Sequence, residues 1–189
     1  MKPYRVALLL ILLTAGSGTA QQYTRRTARS LDTGPVTVMR GANLQVIIAS
    51  DMDSVFSYLS DQGKITAWLS DQAILEPQFG GKYHFRWKSM EPVDGVVTEY
   101  KPTNALAYSW KHPSDEGETQ VRFKLSPQSG RTLVEQDLRG FTSADAVDKA
   151  VTFWVFYLQN LKSVVEDQID LRAVIPKTHA RPPGRQHAQ

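Results

Sequence analysis

The stretch GGKYHFRWK, Gly80–Lys88, alternates between charged and aromatic residues without a break after its two glycines. Because a β-strand sends successive side chains to opposite faces, this pattern predicts a strand with one aromatic and one basic face. The aromatic face would carry Tyr83, Phe85 and Trp87. The basic face would carry Lys82, His84, Arg86 and Lys88. The glycine pair before the strand is typical of a tight turn or a bulge.

The same alternation recurs in two later stretches, ALAYSWKH and TQVRFKLS, which turn-forming residues separate. A further predicted strand, RTLVEQDL, follows them, and its Leu133 interrupts a clean polar face. The apolar positions of the first two stretches extend the aromatic face with Leu106, Tyr108, Trp110, Val121, Phe123 and Leu125. Burying one aromatic side chain removes about 150–250 Å² from water, worth several kcal/mol, so a face of this size needs a cover.

The polar positions of these strands predict a solvated face. Arg122 and Lys124 share it with the basic row, and Glu135 and Asp137 come to it from the next strand. Cross-strand ion pairs on such a face are each worth a few tenths of a kcal/mol. A single-strand nucleic-acid platform would need rings and cations on one face, whereas here they point to opposite faces. We therefore expect weak ion pairs and no nucleic acid.

One long amphipathic helix after Gly140 is the predicted cover. Apolar residues recur there at intervals of three and four, which indicates about 25 helical residues ending near Asp170. They are Val147, Val151, Trp154, Leu158, Leu161 and Val165. Thr142 is the predicted N-cap, with Asp145 three residues on.

The rest of the chain predicts a first strand within residues 36–50, then two short helices, the first opened by Ser50 as N-cap. The stretch AILEPQFGG, residues 73–81, is predicted as a further strand. Strands and helices that are segregated along the chain favour the α+β class.

The N-terminal residues have the order of a secretory signal peptide. Lys2 and Arg5 precede the apolar run VALLLILLTAG, and small residues lead up to a cleavage site after Ala20. The run is shorter than the roughly 20 apolar residues of a membrane span, which favours the signal peptide over the alternative, an uncleaved anchor. We expect a signal peptide over 1–20, a flexible linker over 21–35, one domain over 36–175 and a disordered basic tail over 176–189. The mature protein would be periplasmic or secreted, without a stable membrane span.

Composition excludes several kinds of chemistry. Without Lys2 and Arg5, 20 basic residues remain against 19 acidic ones, and this near neutrality gives no electrostatic argument for nucleic acid. The chain has 0 Cys, which rules out disulfides and thiolate chemistry. No His, Asp or Glu residues have metal-ligand spacing, and there is no P-loop or dinucleotide fingerprint. We expect no metal and no cofactor.

Six segments, in order, resemble the START/polyketide cyclase-like (SRPBCC) superfamily, and within it most closely the domain named for the activator of heat shock protein 90 ATPase. The segments are AWLSD, FGGKYHFRW, DGVVTEYKPTNALAYSW, TQVRFKLS, RTLVEQDLRGF and FWVFYLQNLKSVVE. The resemblance covers residues 38–170 and implies a helix-grip fold. In that fold a curved antiparallel sheet wraps around a long C-terminal helix, often with an apolar cavity between them.

The resemblance also implies where a ligand would bind. On the sheet and short-helix side it points to Trp68, Tyr83, Phe85, Trp87, Tyr108, Trp110 and Phe123. On the helix side it points to Trp154 and Leu158. The superfamily has no universal catalytic residue, so none is transferred to this chain. Leu138 stands where a polar residue is frequent, which makes the interior more apolar and disfavours catalysis.

These observations together predict an exported domain that binds a small hydrophobic ligand, such as a lipid or an aromatic compound. One alternative is that the aromatic face is a solid core. Another is a cyclase-type enzyme on a hydrophobic substrate, using Glu99 or a Tyr hydroxyl. A third is a protein-interaction or co-chaperone-like module without ligand, although an exported chain would not meet a cytosolic chaperone.

Glu99 is the candidate catalytic residue because it shares the parity of Val97. If it faces inward, it is a buried carboxylate with a raised pKa, suited to acid–base chemistry or to anchoring a ligand. If a bulge or sheet curvature intervenes, it is solvated.

Overall fold

Seven antiparallel strands and a long helix form the frame of the domain. The computed structural model describes residues 40–111 and 118–174. Along the chain the elements are β1 Arg40–Ile48, α1 Met52–Ser60, α2 Gln62–Trp68, β2 Gln72–Leu75, β3 Lys82–Arg86, β4 Val93–Lys101, β5 Ala105–Trp110, β6 Thr119–Gln128, β7 Arg131–Phe141, α3 Ala144–Asp167 and α4 Leu171–Val174. The strand order is β1-β7-β6-β5-β4-β3-β2. The sheet is curved and unclosed, so the predicted α+β helix-grip fold is confirmed.

The sequence predictions for both ends of the chain concern residues that lie outside this description. They are the signal peptide over 1–20, the linker over 21–35 and the tail over 176–189. The predicted start of the first strand, residues 36–39, also lies outside it. Within the described ranges, no helix is long and apolar enough to cross a membrane.

The stretch Gly80–Lys88 has the two faces that its alternation predicts. Tyr83, Phe85 and Trp87 are at most 5% exposed, whereas the charged residues Lys82, Arg86 and Lys88 are exposed. Phe85 stands opposite Ala73 on β2 and Val93 on β4, so the inner face is continuous with its neighbours. The turn before β3 uses the glycine pair. Gly80 has φ +76°, and a Cβ on Gly81 would clash with the carbonyl oxygen of Glu76.

The predicted strand over 73–81 is mostly a turn. β2 ends at Leu75, and the backbone of Gln78 and Gly81 then makes local turn hydrogen bonds. Pro77 has no backbone N–H to donate, which limits strand pairing at that position.

Helix α3 covers the sheet, and the centre of its predicted apolar stripe, Trp154, Leu158 and Leu161, is buried. The other predicted positions, Val147, Val151 and Val165, are only partly buried, and Val164 is the buried residue of the last turn instead of Val165. Near its C-terminal end, Lys162 Nζ donates to the carbonyl oxygen of Ile47 (2.8 Å). Glu166 accepts from the N–H of Ala49, so the end of the helix is attached to β1 and the residue beyond it.

The predicted helix caps are each wrong by one residue. Asp51, not Ser50, caps α1, and its carboxylate accepts from the N–H of Ser54 (2.8 Å). Ser143, not Thr142, caps α3, and its hydroxyl accepts from the N–H of Ala146 (3.1 Å). In both places two neighbouring residues can cap, and the direction in which the chain leaves the preceding strand decides which one takes the extended N-cap conformation.

Candidate ligand-binding interior

All nine residues predicted to contact a ligand lie buried between the sheet and α3. None of them is more than 5% exposed. The sheet and the helix meet where the Trp110 ring lies 4.9 Å from that of Trp154, centroid to centroid. From Trp154 the contacts continue to Phe123 at 5.7 Å and from there to Trp68 at 6.4 Å. The eight aromatic residues of the set therefore form one connected cluster, with Leu158 in the same core.

Three aromatic residues of α3 outside the predicted set join this cluster, namely Phe153, Tyr157 and, through Tyr157 at 5.1 Å, Phe156. Phe153 contacts the rings of Trp87, Trp110 and Trp154 and lies 4.5 Å from the ring of Tyr157. It is only partly buried, so the cluster reaches the surface there. The periodicity missed Phe153 because it lies one residue before Trp154, beside the apolar stripe. The dense aromatic run FWVFY, residues 153–157, is the sequence feature that could have indicated it.

The two tryptophans beside the short helices have their polar atoms bound by backbone. Trp68 Nε1 donates to the carbonyl oxygen of Tyr58 (2.8 Å). Trp87 Nε1 donates to the carbonyl oxygen of Leu69 (2.6 Å). Both acceptors belong to the segment that carries α1 and α2. This segment therefore fixes the orientation of both rings, because a buried indole N–H needs an acceptor.

The two buried tyrosines of the sheet are bound in the same way. Tyr108 Oη donates to the carbonyl oxygen of Leu59 (2.7 Å), and Tyr83 Oη donates to that of Ser109. Burial raises the pKa of Tyr108 well above its usual value. Burial, and then the charge of Asp94, raises the pKa of Tyr83. Both hydroxyls stay neutral and donate to backbone, so neither can serve as a general base.

Glu99 does not face this interior, and the hypothesis of a buried carboxylate with a raised pKa is wrong. Val97 pairs with Tyr108 but Glu99 pairs with Ala107, so Thr98 is the extra residue of a β-bulge. The bulge turns Glu99 to the outer face, which is the solvated alternative. There Arg122 Nε donates to it at 2.6 Å. Hydrogen bonds from Arg122 and then from Lys101 lower the pKa of Glu99 to about 2.

The outer face carries the cross-strand ion pairs that its alternation predicts. Arg122 bridges Glu99 to Asp137, whose carboxylate lies 3.8 Å away, and Lys124 pairs with Glu135 at 3.1 Å. Within the described ranges, no group of three His, Cys, Asp or Glu residues could hold a metal ion. A cleft of about 190 Å³ opens beside Thr98 and Ser109, and Glu118, Gln120 and Arg139 also line it.

We expect Glu99→Gln to lower the free energy of unfolding by about 1 kcal/mol at pH 7, because the change removes a charge-assisted hydrogen-bonded pair. A carboxyl with a lowered pKa contributes stability that is complete above its unfolded pKa. That contribution is lost as the pH falls through the folded pKa. The difference between wild type and variant should therefore shrink between pH 4.5 and about pH 2. Urea unfolding at several pH values measures it. Glu91→Gln, at an exposed position, is the control, and an equal pH response of both variants would contradict the assignment.

Comparison with known proteins agrees with this geometry. Residues 49–166, from the end of β1 to near the end of α3, match the family described as "Activator of Hsp90 ATPase homolog 1-like protein". The chain belongs to this family. The resemblance to the SRPBCC superfamily is thereby confirmed. Among curated proteins, none matches the chain.

Solved structures share the family's fold at low sequence identity. Protein MLL2253 from Mesorhizobium loti is 20% identical with a TM-score of 0.62, over 67% of this chain and 96% of that one. The Aha1 dimer from Colwellia psychrerythraea is 18% identical with a TM-score of 0.62, over 68% and 97%. CalU16 from Micromonospora echinospora is 19% identical with a TM-score of 0.60, over 69% and 78%. At these identities the comparisons establish the helix-grip fold alone.

Proposed function

We propose that this protein is an exported START-like domain that binds a small hydrophobic ligand, a lipid or an aromatic compound, between its sheet and α3. The observation that carries the proposal is the chemistry of the interior. Its walls are aromatic rings, and four of them, Trp68, Tyr83, Trp87 and Tyr108, donate their polar hydrogen to backbone carbonyls. Those rings offer a ligand π faces and C–H edges, which suit an apolar molecule.

The positions of the titratable side chains support this proposal over the cyclase alternative. Helix-grip domains of this superfamily often bind hydrophobic ligands, and some members are cyclase-like, so the fold is compatible with both. A cyclase would need a group that moves protons next to its substrate. Glu99 is on the outer face, and the hydroxyls of Tyr83 and Tyr108 are already bound. Burial also raises the pKa of Tyr157, the third tyrosine of the cluster, which disfavours it as a general base. Leu138, fully buried on the inner face, adds apolar wall where a polar residue is frequent in the superfamily.

The rings contact one another in the unliganded chain, so a ligand must displace some of them. Phe153 joins the two sides of the cluster, since it touches Trp87 and Trp110 of the sheet region and Trp154 of its own helix. It is also only partly buried. Rotation of the Phe153 side chain would remove its cover from Trp87 and Trp110. We propose that the ligand reaches the interior past Phe153.

Export is the second part of the proposal, and one measurement addresses both parts. Native mass spectrometry of protein purified from its host should find a chain that begins at or near Gln21. It should also find one small-molecule adduct per chain, which denaturation releases. An intact Met1 in a cytosolic fraction would contradict export. A mature chain without an adduct would leave the decision on binding to titration with an added probe.

A neutral apolar fluorophore, N-phenyl-1-naphthylamine, tests binding directly. A ligand that prefers the native state stabilises it by RT ln(1 + [L]/Kd), about 2.7 kcal/mol at a hundredfold excess over Kd, so Tm should rise with probe concentration. The Lys82→Glu/Arg86→Glu variant is the matched control, because both residues are exposed on the outer face and the shift should persist. If the wild type shows neither an adduct nor a probe-dependent Tm, the ligand-binding function is wrong.

A protein-interaction module without ligand is the second candidate. The observation in its favour is a set of exposed apolar side chains beside edge strand β2. Ile74 is 60% exposed, Phe79 is 78% exposed and Val96 is 40% exposed. An empty interior in both the mass-spectrometric and the fluorophore experiment would favour this alternative, since nothing in the interaction hypothesis requires a ligand.

A further inference from the structure

Gln136 is a polar residue in the middle of the apolar inner face. It lies on β7 between Val134 and Leu138, and all three are 0% exposed. Its strand neighbours in register are Leu44 on β1 and Phe123 on β6. Neither its amide nitrogen nor its amide oxygen has a hydrogen-bond partner among the residues that the structure describes.

The other buried polar residues within 40–111 and 118–174 differ from Gln136 in this respect. They are Ser70, Thr119, Thr132 and Asn160. Each of these four donates to a backbone carbonyl. Buried polar groups in native proteins almost always have a partner, since an unpaired one loses its hydrogen bonds to water without replacement. Arg172 Nη1 is also buried without a partner in the described ranges, but another nitrogen of that guanidinium binds Asp170 and the carbonyl oxygen of Thr66. The Gln136 side chain makes no hydrogen bond to any described residue, which points to a group from outside the described residues at this position.

Gln136 adjoins the interior to which the proposed function assigns the ligand. Phe123, its neighbour across the β6–β7 pair, contacts the rings of Trp154 at 5.7 Å and Trp68 at 6.4 Å. A molecule that enters the ring cluster next to Phe123 would thus lie near the amide of Gln136, while the other residues around it are apolar.

The chemistry of the amide narrows the class of ligand. A glutamine amide offers both a donor and an acceptor, and a hydroxyl is the smallest group that can satisfy both. Beside Gln136 an anionic group would have no cation to pair with, because its cross-strand neighbours are Leu44 and Phe123 and its same-face neighbours on β7 are Val134 and Leu138. We propose, resting on the proposed ligand-binding function, that Gln136 selects a neutral apolar ligand that carries one hydroxyl group, such as a long-chain alcohol or a phenol.

The test compares two ligands of nearly equal shape, 1-naphthol and 1-methylnaphthalene, for binding to the full chain. The quantity is the ratio of the Kd of 1-methylnaphthalene to that of 1-naphthol. Replacing Gln136 by Leu removes the amide nitrogen and the amide oxygen. The ratio should therefore fall about tenfold, which corresponds to the loss of one net hydrogen bond to 1-naphthol. The affinity for 1-methylnaphthalene itself should stay within about twofold of wild type, because that ligand makes no hydrogen bond.

The matched control is Gln120→Leu. Gln120 is also a glutamine of the sheet, but its amide donates to Thr98 Oγ1 at 2.9 Å on the opposite face, so its loss should leave the ratio unchanged. Gln136→Met, closer in shape, replaces the Leu variant if that variant does not fold. If both ligands bind and the ratio is the same in wild type and variant, the role of Gln136 is wrong while the ligand-binding function stands. If neither ligand binds a wild type that carries an adduct or binds N-phenyl-1-naphthylamine, the role of Gln136 is wrong while the ligand-binding function stands. If the wild type carries no adduct and binds none of the three compounds, both are wrong.

Discussion

Trp110→Ala should lower the free energy of unfolding by about 3–5 kcal/mol, the range found when a large buried aromatic is truncated. The ring is 5% exposed and lies 4.9 Å from that of Trp154, centroid to centroid. It also contacts four further rings at 6.2–6.3 Å, those of Tyr83, Phe85, Trp87 and Phe153. Two of these five rings belong to β3, one is Trp87 directly after β3, and two belong to α3. Alanine would leave a void that they cannot fill, because protein interiors are close-packed and relax only in part.

The measurement is urea unfolding followed by far-ultraviolet circular dichroism, since the variant loses a fluorescent tryptophan. Phe79→Ala is the control, because that ring is 78% exposed and its removal should change stability by less than about 0.5 kcal/mol. A loss below about 1.5 kcal/mol for Trp110→Ala would show that the ring already borders empty space in solution. The solid-core description of the unliganded protein would then be wrong.

Asn160→Ala should lower the free energy of unfolding by about 2–4 kcal/mol. Asn160 is 0% exposed on α3, and its amide nitrogen donates to the carbonyl oxygen of Trp68 at 2.7 Å and to Asp170 Oδ1 at 3.0 Å. Its amide oxygen accepts from the N–H of Leu171 at 2.7 Å. Alanine removes this connection between α3, the end of α2 and the start of α4. It leaves buried backbone groups unpaired, each at a cost of roughly 1–3 kcal/mol.

Gln159→Ala is the matched control, since Gln159 is the adjacent residue of the same helix and is exposed. Its effect should stay within about 0.5 kcal/mol. Hydrogen exchange adds a local readout, because the amide of Leu171 should lose protection in the Asn160 variant before the strands do. Equal losses for the two variants would contradict the assigned hydrogen bonds.

A filled interior and a ligand-binding function are compatible if binding contributes more free energy than opening the cluster costs. The apparent affinity is then reduced by the small population of opened chains. Trp110→Ala removes wall from that same cluster, so it should weaken the unliganded fold and make the interior easier to open. The Tm of the variant without probe measures the loss of stability of the unliganded fold. The rise of its Tm with probe concentration, compared with that of wild type, measures how much easier the interior is to open.

The amino-acid sequence by itself determined most of the elements and, where a strand or helix is regular, their faces. The alternation in Gly80–Lys88 assigned Tyr83 and Phe85 to the core and Lys82 and Arg86 to solvent, and the burial of these residues agrees. The spacing of Trp154, Leu158 and Leu161 likewise assigned one face of α3. Such assignments succeed because the periods of two and 3.6 residues are local properties of the backbone, and burial of apolar surface then selects one face.

Only the tertiary structure decided the orientation of Glu99 and the state of Gln136. A one-residue bulge at Thr98 reverses the face of the next residues of β4, and nothing local in the sequence marks where β4 slips against β5. Gln136 has the inward parity of Val134, but whether its amide finds a partner depends on residues more than ten positions away that pack against it. Hydrogen-bond satisfaction is a property of the assembled neighbourhood, whereas strand parity is a property of the chain.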